Sequence, residues 1–412
     1  MTATAEAPRR TGEVAMQVDA PGPRRNIICF GQQNWDYCWT GKQQLMSRLA
    51  ARGHRVLYVD PTWAPAAHTS ADRWRALAPV RNRHGLRHVG PGDLFVFTYS
   101  YSPLLPWRLV ARRWPRVVRT LARALAFETP IAIALRPPAA SLLAALRPAA
   151  SIYYAVDEMT AFGDRSEQER RAVRAQEDAI LGQVDLALAV SERLHRRFLE
   201  VQPRSYFLPN GADLEHFAPA RLDRIDPHPA VAGLPRPRIG FVGQVDERLD
   251  QALLAAVARM RPGWQVVLAG RVKQGVDVAR IEAKPNIHLI GYQDYQLLPA
   301  ILREVDVCVV PYRSTELTES CNPLKVFEYL ATGRPVVATP IEGLHWCRDV
   351  IGFADTAETF VQRIEEALAG TGENRAARLA LAAANGWNAR VDVLEQRMEQ
   401  ALAIRRQAEA AI

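Results

Sequence analysis

The chain has 412 residues, 48% of them hydrophobic and 23% charged, with a formal net charge of +8. Those figures describe globular composition rather than disorder, and the length fits two domains of roughly 150 to 200 residues better than one core. No run of about 18 uncharged apolar residues appears and the first 25 residues lack an apolar signal core, so a cytoplasmic protein is expected. The five cysteines, Cys29, Cys38, Cys308, Cys321 and Cys347, have no C-x-x-C spacing and suggest neither a disulfide framework nor a zinc site.

Residues 1–24, rich in Ala, Pro, Thr and Arg, read as a disordered tail. NIICFG (26–31) is the first strand, GKQQLMSRLAAR (41–52) a helix stopped by Gly53, and RVLYVDP (55–61) the next strand. Strand, loop, helix, strand is the opening of a doubly wound parallel sheet. Further strands are expected at 93–99, 132–135, 151–157, 186–190 and 205–210. Between them, WRLVARRWPRVVRTLAR (107–123) interleaves Arg108, Arg112, Arg113, Arg116, Arg119 and Arg123 with Trp107 and Trp114. Pro115 splits it into two short amphipathic pieces, which suit an anionic membrane surface or, equally, a pair of surface helices with solvated arginines. No nucleic-acid-binding module accompanies the charge.

Five prolines between 218 and 237 mark a linker. The strand-helix rhythm then restarts with RIGFVG (238–243), a helix near 249–260, WQVVLAG (264–270), NIHLIG (286–291), a helix near 295–303 and DVCVVPY (306–312). Two parallel α/β halves of this kind leave a cleft between domains, where sites commonly form. The expected organisation is 25–217 as a first domain, 218–237 as linker, 238–385 as a second domain, and 386–412 as a closing helix.

The segment TESCNPLKVFEYLATGRPVVAT (318–339) carries the sharpest signal. Pro323 begins a helix, Gly333 and Pro335 punctuate its end, and Lys325 in its first turn shares a face with Glu328. A helix N-terminus beyond a parallel strand, with a cation and a carboxylate beside it, offers contacts for phosphate and for hydroxyls. This segment resembles the donor-binding motif of the GT-B glycosyltransferases, especially the family 4-like retaining enzymes. Where that pattern has a first glutamate this chain has Ser320, with Glu319 one residue away. FLPNGADLEHF (207–217), with its Asn210-Gly211 turn, resembles the interdomain segment of the same enzymes, and GQQNWDYCWTGKQQLM (31–46) the opening of a bacterial envelope-sugar transferase sub-group. In the last of these, Thr40-Gly41-Lys42 stands where the sub-group has an arginine and a proline.

The resemblance, over roughly residues 26–400, implies two Rossmann-like domains. The second would bind a nucleoside diphosphate sugar and the first an acceptor, with retention at the anomeric carbon. Donor contacts fall to Asn210, Gly243, Arg248, Gly270, Asn322, Pro323, Leu324, Lys325 and Glu328, with Arg271 a weaker candidate. Lys325 and Arg248 would meet the diphosphate and Glu328 the ribose. Trp35, Asp36, Trp39 and Glu158 are the acceptor candidates. Asp36 and Asp157, with Lys325 and Glu328, are the catalytic ones; Asp157 and Glu158 follow a strand C-terminus as acceptor contacts or base, or as a surface turn. No paired-aspartate metal motif is present, so no metal or other cofactor is expected. The closing helix would cross back onto the first domain. A non-catalytic sugar-nucleotide-binding protein on the same fold is the rival reading, favoured by Ser320.

Overall fold

The computed structural model describes residues 23–61, 85–90, 92–99, 107–163, 165–222, 224–370 and 374–411. The expected disordered tail lies outside them except for residues 23 and 24. The first sheet contains β1 (Asn26–Phe30), β2 (Arg55–Val59), β3 (Gly85–His88), β4 (Asp93–Thr98), β5 (Ile131–Ala134), β6 (Ala150–Ala155), β7 (Leu186–Ala189) and β8 (Ser205–Phe207). Its order is β3-β4-β2-β1-β5-β6-β7-β8, parallel throughout except for the antiparallel edge strand β3. The second sheet contains β9 (Arg238–Val242), β10 (Gln265–Ala269), β11 (Ile287–Gly291), β12 (Val307–Val310), β13 (Val336–Ala338) and β14 (Gly352–Phe353). It is entirely parallel, in the order β11-β10-β9-β12-β13-β14.

Sequence composition explains the layering. IAIA in β5, ASIYYA in β6, RIGFV in β9 and VCVV in β12 are buried at every position, as strands covered by helices on both faces require. In each sheet the chain reverses direction at one point, between β1 and β5 in the first and between β9 and β12 in the second. Loops leaving these strands diverge there and open a crevice beyond the strand C-termini.

Core membership moves the domain boundary from the expected residue 217. Leu208 belongs to the first core, whereas Ala212 and Phe217 belong to the second. The Leu214–Arg221 helix packs against the Leu298–Glu304 and Leu324–Thr332 helices of the second domain. The proline-rich stretch is therefore not a free linker; it contains the short helix Pro229–Ala232, whose Val231 is fully buried. The chain returns beside its own crossing point, where Ala212 pairs with Gly386 and its N–H donates to the Asn385 carbonyl at 2.8 Å. A side chain on Gly211 would press against the Asn385 carbonyl and the Trp387 amide, both 3.1 Å from its Cβ. The final helix, Trp387–Ala410, then places Trp387, Val391, Leu394, Met398 and Ala401 in the first core.

The arginine-rich segment forms one continuous 18-residue helix, Trp107–Ala124, with Pro115 inside it, not two pieces. Trp114, Val118 and Ala122 lie on one face and are buried, Trp114 stacking on Phe97 at 5.8 Å. Burial of such side chains at about 1.5 to 3 kcal/mol each offsets a proline cost of about 3 kcal/mol. Trp114 is thus a core residue, while Arg113, Arg116, Arg119 and Arg123 are exposed on the outer face.

Candidate active site

Loops from both switch points converge on one interdomain cavity of about 350 Å³. The first domain contributes Gln32 to Lys42 after β1 through Gln32, Gln33, Tyr37, Cys38, Trp39 and Lys42, with Leu135 after β5 and Asp157 after β6. The second contributes Gly243 and Arg248 after β9, Gly270 and Arg271 after β10, and Asn322, Pro323, Leu324, Lys325 and Glu328 around the helix that follows β12.

Lys325 is the second residue of the Leu324–Thr332 helix and only 9% exposed. Its Nζ lies 3.8 Å from the Phe241 ring centroid, and it donates to the Tyr312 hydroxyl at 2.8 Å. Burial, assisted by the nearby Arg248 charge, lowers its pKa to about 7. Glu328, one turn on, is 7% exposed, and among the described residues no hydrogen bond reaches its carboxylate. Burial raises its pKa to about 7 against the pull of Lys325. The backbone closes tightly around this pair. Gly243 has φ +145°, and a Cβ there would fall 2.4 Å from Lys325 Nζ; a Cβ on Gly270 would fall 1.9 Å from the Gly243 carbonyl oxygen. Arg248 donates through Nε and Nη2 to the Asp246 carboxylate at 3.0 and 2.5 Å, which fixes its guanidinium at the cavity wall.

Asn210 and Asn322 join the crossover segment to the donor-side loop. The Asn210 amide N–H donates to Asn322 Oδ1 at 2.9 Å, and Asn210 Nδ2 donates to the Asn322 carbonyl at 2.7 Å. Across the cavity, Asp157 accepts from Gln32 Nε2 at 3.3 Å. Burial pushes its pKa up to about 6, while the Arg248 charge from the opposite domain draws it down.

Three of the acceptor candidates lie elsewhere. Trp35 is 7% exposed and packs edge-on against Tyr58 at 5.0 Å, its N–H held by Asp60, so it belongs to the core. Asp36 pairs with Arg87 of β3 at 2.7 Å and does not line the cavity, which removes it from the catalytic set as well. Glu158 is 5% exposed, salt-bridged to Arg197 at 2.6 Å and caps the turn at Thr160; its role is structural. Trp39 does face the cavity, stacked on Tyr295 of the second domain at 5.7 Å. Glu319 accepts from Ser314 Oγ at 2.7 Å and the Glu342 amide at 2.8 Å, and Ser320 is 1% exposed; neither lines the cavity, whereas Cys321 does.

Sequence reasoning missed Lys42, which lines the cavity, and Gln44 beside it, and ranked Arg271 as a weaker donor candidate. Lys42 is 6% exposed at the second position of the Gly41–Ala51 helix. Arg271 lies over Tyr292 at 4.2 Å and Tyr37 at 5.6 Å, linking the two domains. Gln44 of the first domain donates to the Tyr295 hydroxyl at 2.9 Å. For Lys42 and Gln44, only the departure at Thr40-Gly41-Lys42 gave a local signal.

Among the described residues no cluster of three or more His, Cys, Asp or Glu side chains could hold a metal ion, and no helix is long and apolar enough to cross a membrane. Residues 236–370 match the family described as glycosyl transferases group 1. TuaH of Bacillus subtilis (strain 168), provisionally assigned as a teichuronic acid biosynthesis glycosyltransferase, is 26% identical over 180 residues, which are 42% of this chain and 45% of that protein. The matched region thus spans less than half of that curated relative. The structure resembles sucrose-phosphate synthase from Thermosynechococcus elongatus with a TM-score of 0.66 at 20% identity, over 92% of this chain and 100% of that one. It resembles Anabaena HepE, solved in complex with UDP-glucose, with a TM-score of 0.64 at 13% identity over the same shares. The chain has the GT-B fold of these structures, and residues 236–370 of its second domain match the model of the glycosyl transferases group 1.

Proposed function

We propose that this protein transfers a hexosyl group from a nucleoside diphosphate sugar to an acceptor hydroxyl, with retention at the anomeric carbon and without a metal ion. The observation that carries this reading is the buried Glu328 carboxylate, without a hydrogen bond among the described residues, one turn from the buried Lys325 on the same cavity wall. An ionised carboxylate there gains most from paired hydroxyl donors such as those of a ribose, and the ammonium beside it from a diphosphate. As the glycosidic bond breaks, negative charge accumulates on the diphosphate. Lys325, Arg248 and the N–H groups of Leu324 and Lys325 at the helix start, which have no acceptor among the described residues, stabilise it where it forms. Asp157, opposite Arg248, contacts the acceptor hydroxyl and can take up its proton.

The Trp107–Ala124 helix supports a further part of the proposal, attachment to the inner face of an anionic membrane from the cytoplasm. Arg113, Arg116, Arg119 and Arg123 share its outer face and have no carboxylate partner among the described residues. Envelope polysaccharide, glycolipid and natural-product assembly all fit such a placement. The burial of Ser320 and the engagement of Glu319 leave no acid at the first motif position, which favours the second reading, a sugar-nucleotide-binding regulator. Incubating the purified protein with a panel of nucleoside diphosphate sugars separates the two. Released sugar and nucleoside diphosphate support a transferase, whereas tight binding of one donor with no turnover, even with membrane extract as acceptor source, supports the regulator.

A further inference from the structure

Tyr312 is the second residue beyond β12, at the strand end where the crevice opens, and it lines the cavity while being only 4% exposed. Its backbone is held at three points. The N–H donates to Thr339 Oγ1 at 2.9 Å, the carbonyl accepts from the same hydroxyl at 2.7 Å, and Leu249 pairs with Tyr312 in an isolated antiparallel bridge. Phe241 packs edge-on against the ring at 6.4 Å. Two cations complete the surroundings, Lys325 Nζ at 4.8 Å from the ring centroid and the Arg248 guanidinium at 5.7 Å. These are the two side chains assigned to the donor diphosphate.

A phenol hydroxyl can accept and donate at the same time. The Tyr312 oxygen accepts from Lys325 Nζ at 2.8 Å, whereas its own O–H has no acceptor among the described residues. A buried donor left in that state is costly until an acceptor reaches it. Donation from the ammonium also draws electron density from the phenol oxygen, which makes the remaining O–H a stronger donor. Burial raises the Tyr312 pKa, so the proton stays on the oxygen through the neutral range.

We propose that Tyr312 is a further catalytic residue of the transfer reaction, whose O–H donates to the donor diphosphate beside Lys325 and Arg248 and stabilises the charge that the leaving group acquires. The proposal rests on the reading of Lys325 and Arg248 as the diphosphate site. When the bond from the anomeric carbon to the diphosphate oxygen breaks, its electron pair passes to that oxygen. The sugar bonds to the acceptor oxygen, and the acceptor proton passes to Asp157. Tyr312 keeps its own proton throughout and supplies a hydrogen bond that strengthens as the diphosphate gains charge. A donor already fixed in place needs no reorganisation at that moment, and the contacts of Tyr312 with Thr339, Leu249 and Phe241 provide that fixation.

Tyr312→Phe tests this, because it keeps the ring and removes only the hydroxyl. Calorimetric titration with UDP and with GDP identifies the nucleotide that the wild type binds more tightly, and the variant should bind it about tenfold more weakly. The matching nucleoside, uridine or guanosine, brings no phosphate and at millimolar concentration should bind both proteins to within about twofold. A packing defect would instead weaken nucleotide and nucleoside together, which overturns the proposal. Release of nucleoside diphosphate from the sugar donor, with membrane extract as acceptor source, should slow by about tenfold or more at saturating donor. Lys325→Met separates the two readings. If it binds nucleotide as the wild type does, or if the wild type binds neither nucleotide at millimolar concentration, the diphosphate site is misplaced and both readings fall. If it loses the nucleotide while Tyr312→Phe binds it as the wild type does, only the role of Tyr312 falls. Should Tyr312→Phe fail to fold, 3-fluorotyrosine incorporated at position 312 decides, since it retains the ring and makes the hydroxyl a stronger donor. It should tighten nucleotide binding; unchanged or weaker binding overturns the proposal.

Discussion

Lys42 and Lys325 occupy equivalent positions on opposite walls of one cavity, and they differ in what lies one helical turn beyond. Glu328 follows Lys325 and shares its burial, whereas Leu45 follows Lys42 and joins the first core. With a carboxylate in the next turn such a helix start offers contacts to phosphate and hydroxyls together; without one it offers a cation and N–H donors alone. The surroundings differ too, since Lys325 lies over Phe241 and Tyr312, whereas Lys42 Nζ donates to the Cys38 carbonyl and Thr40 Oγ1. Aromatic faces hold a buried ammonium in a fixed position, which suits a site where charge develops during reaction.

The largest effect expected from breaking this arrangement is at Lys325. Lys325→Met removes a charge-assisted contact of about 1.5 to 3 kcal/mol and should weaken UDP binding by roughly ten- to a hundredfold, with turnover falling at least as far. In the wild type, the lowered pKa of about 7 means that nucleotide binding above neutrality draws a proton onto Lys325. Calorimetry in buffers of different ionisation enthalpy should detect that uptake at pH 8 and find none for the variant. Binding without proton uptake would show that Lys325 does not meet the phosphates.

Glu328→Gln should lower activity by a smaller factor, on the order of tenfold, because an amide oxygen accepts hydroxyl donors less well than a carboxylate. It should not destabilise the fold. Glu328 has its pKa raised to about 7 in the folded protein, so its contribution is present below the unfolded value near 4.5 and is lost as pH rises to 7. The melting temperature of the variant should therefore gain on the wild type across that window. A variant that melts well below wild type at pH 7 would make Glu328 a structural residue.

The first domain can be tested through its outer surface. Changing Arg113, Arg116, Arg119 and Arg123 to Gln should reduce co-sedimentation with vesicles containing anionic lipid, at about 1 kcal/mol per arginine, and raised salt should do the same to the wild type. Trp114 contributes nothing to this binding, because it is packed on Phe97. Wild type remaining in the supernatant at low salt would separate the arginine face from membranes. The smallest expected effect is that of chelation. EDTA should leave turnover unchanged, since the phosphates are assigned to Lys325, Arg248 and helix N–H groups; loss of activity restored by magnesium would reassign them.

What the sequence by itself determined is the repeated α/β pattern and the Lys325–Glu328 helix start, because both rest on local rules. Continuous apolar runs such as IAIA and VCVV specify strands covered on both faces, and a spacing of three places two side chains on one helical face wherever the helix lies. Tertiary structure decided which neighbouring residues face the cavity. Asp157 turns into it and Glu158 away to Arg197; Trp39 meets Tyr295 across the domains while Trp35 is packed under Tyr58. Asp36 is claimed by Arg87, 51 residues away in sequence on the antiparallel edge strand. Such outcomes depend on partners brought together by the path of the chain between sheets, and adjacent residues outside regular structure carry no periodicity that says which will point inward.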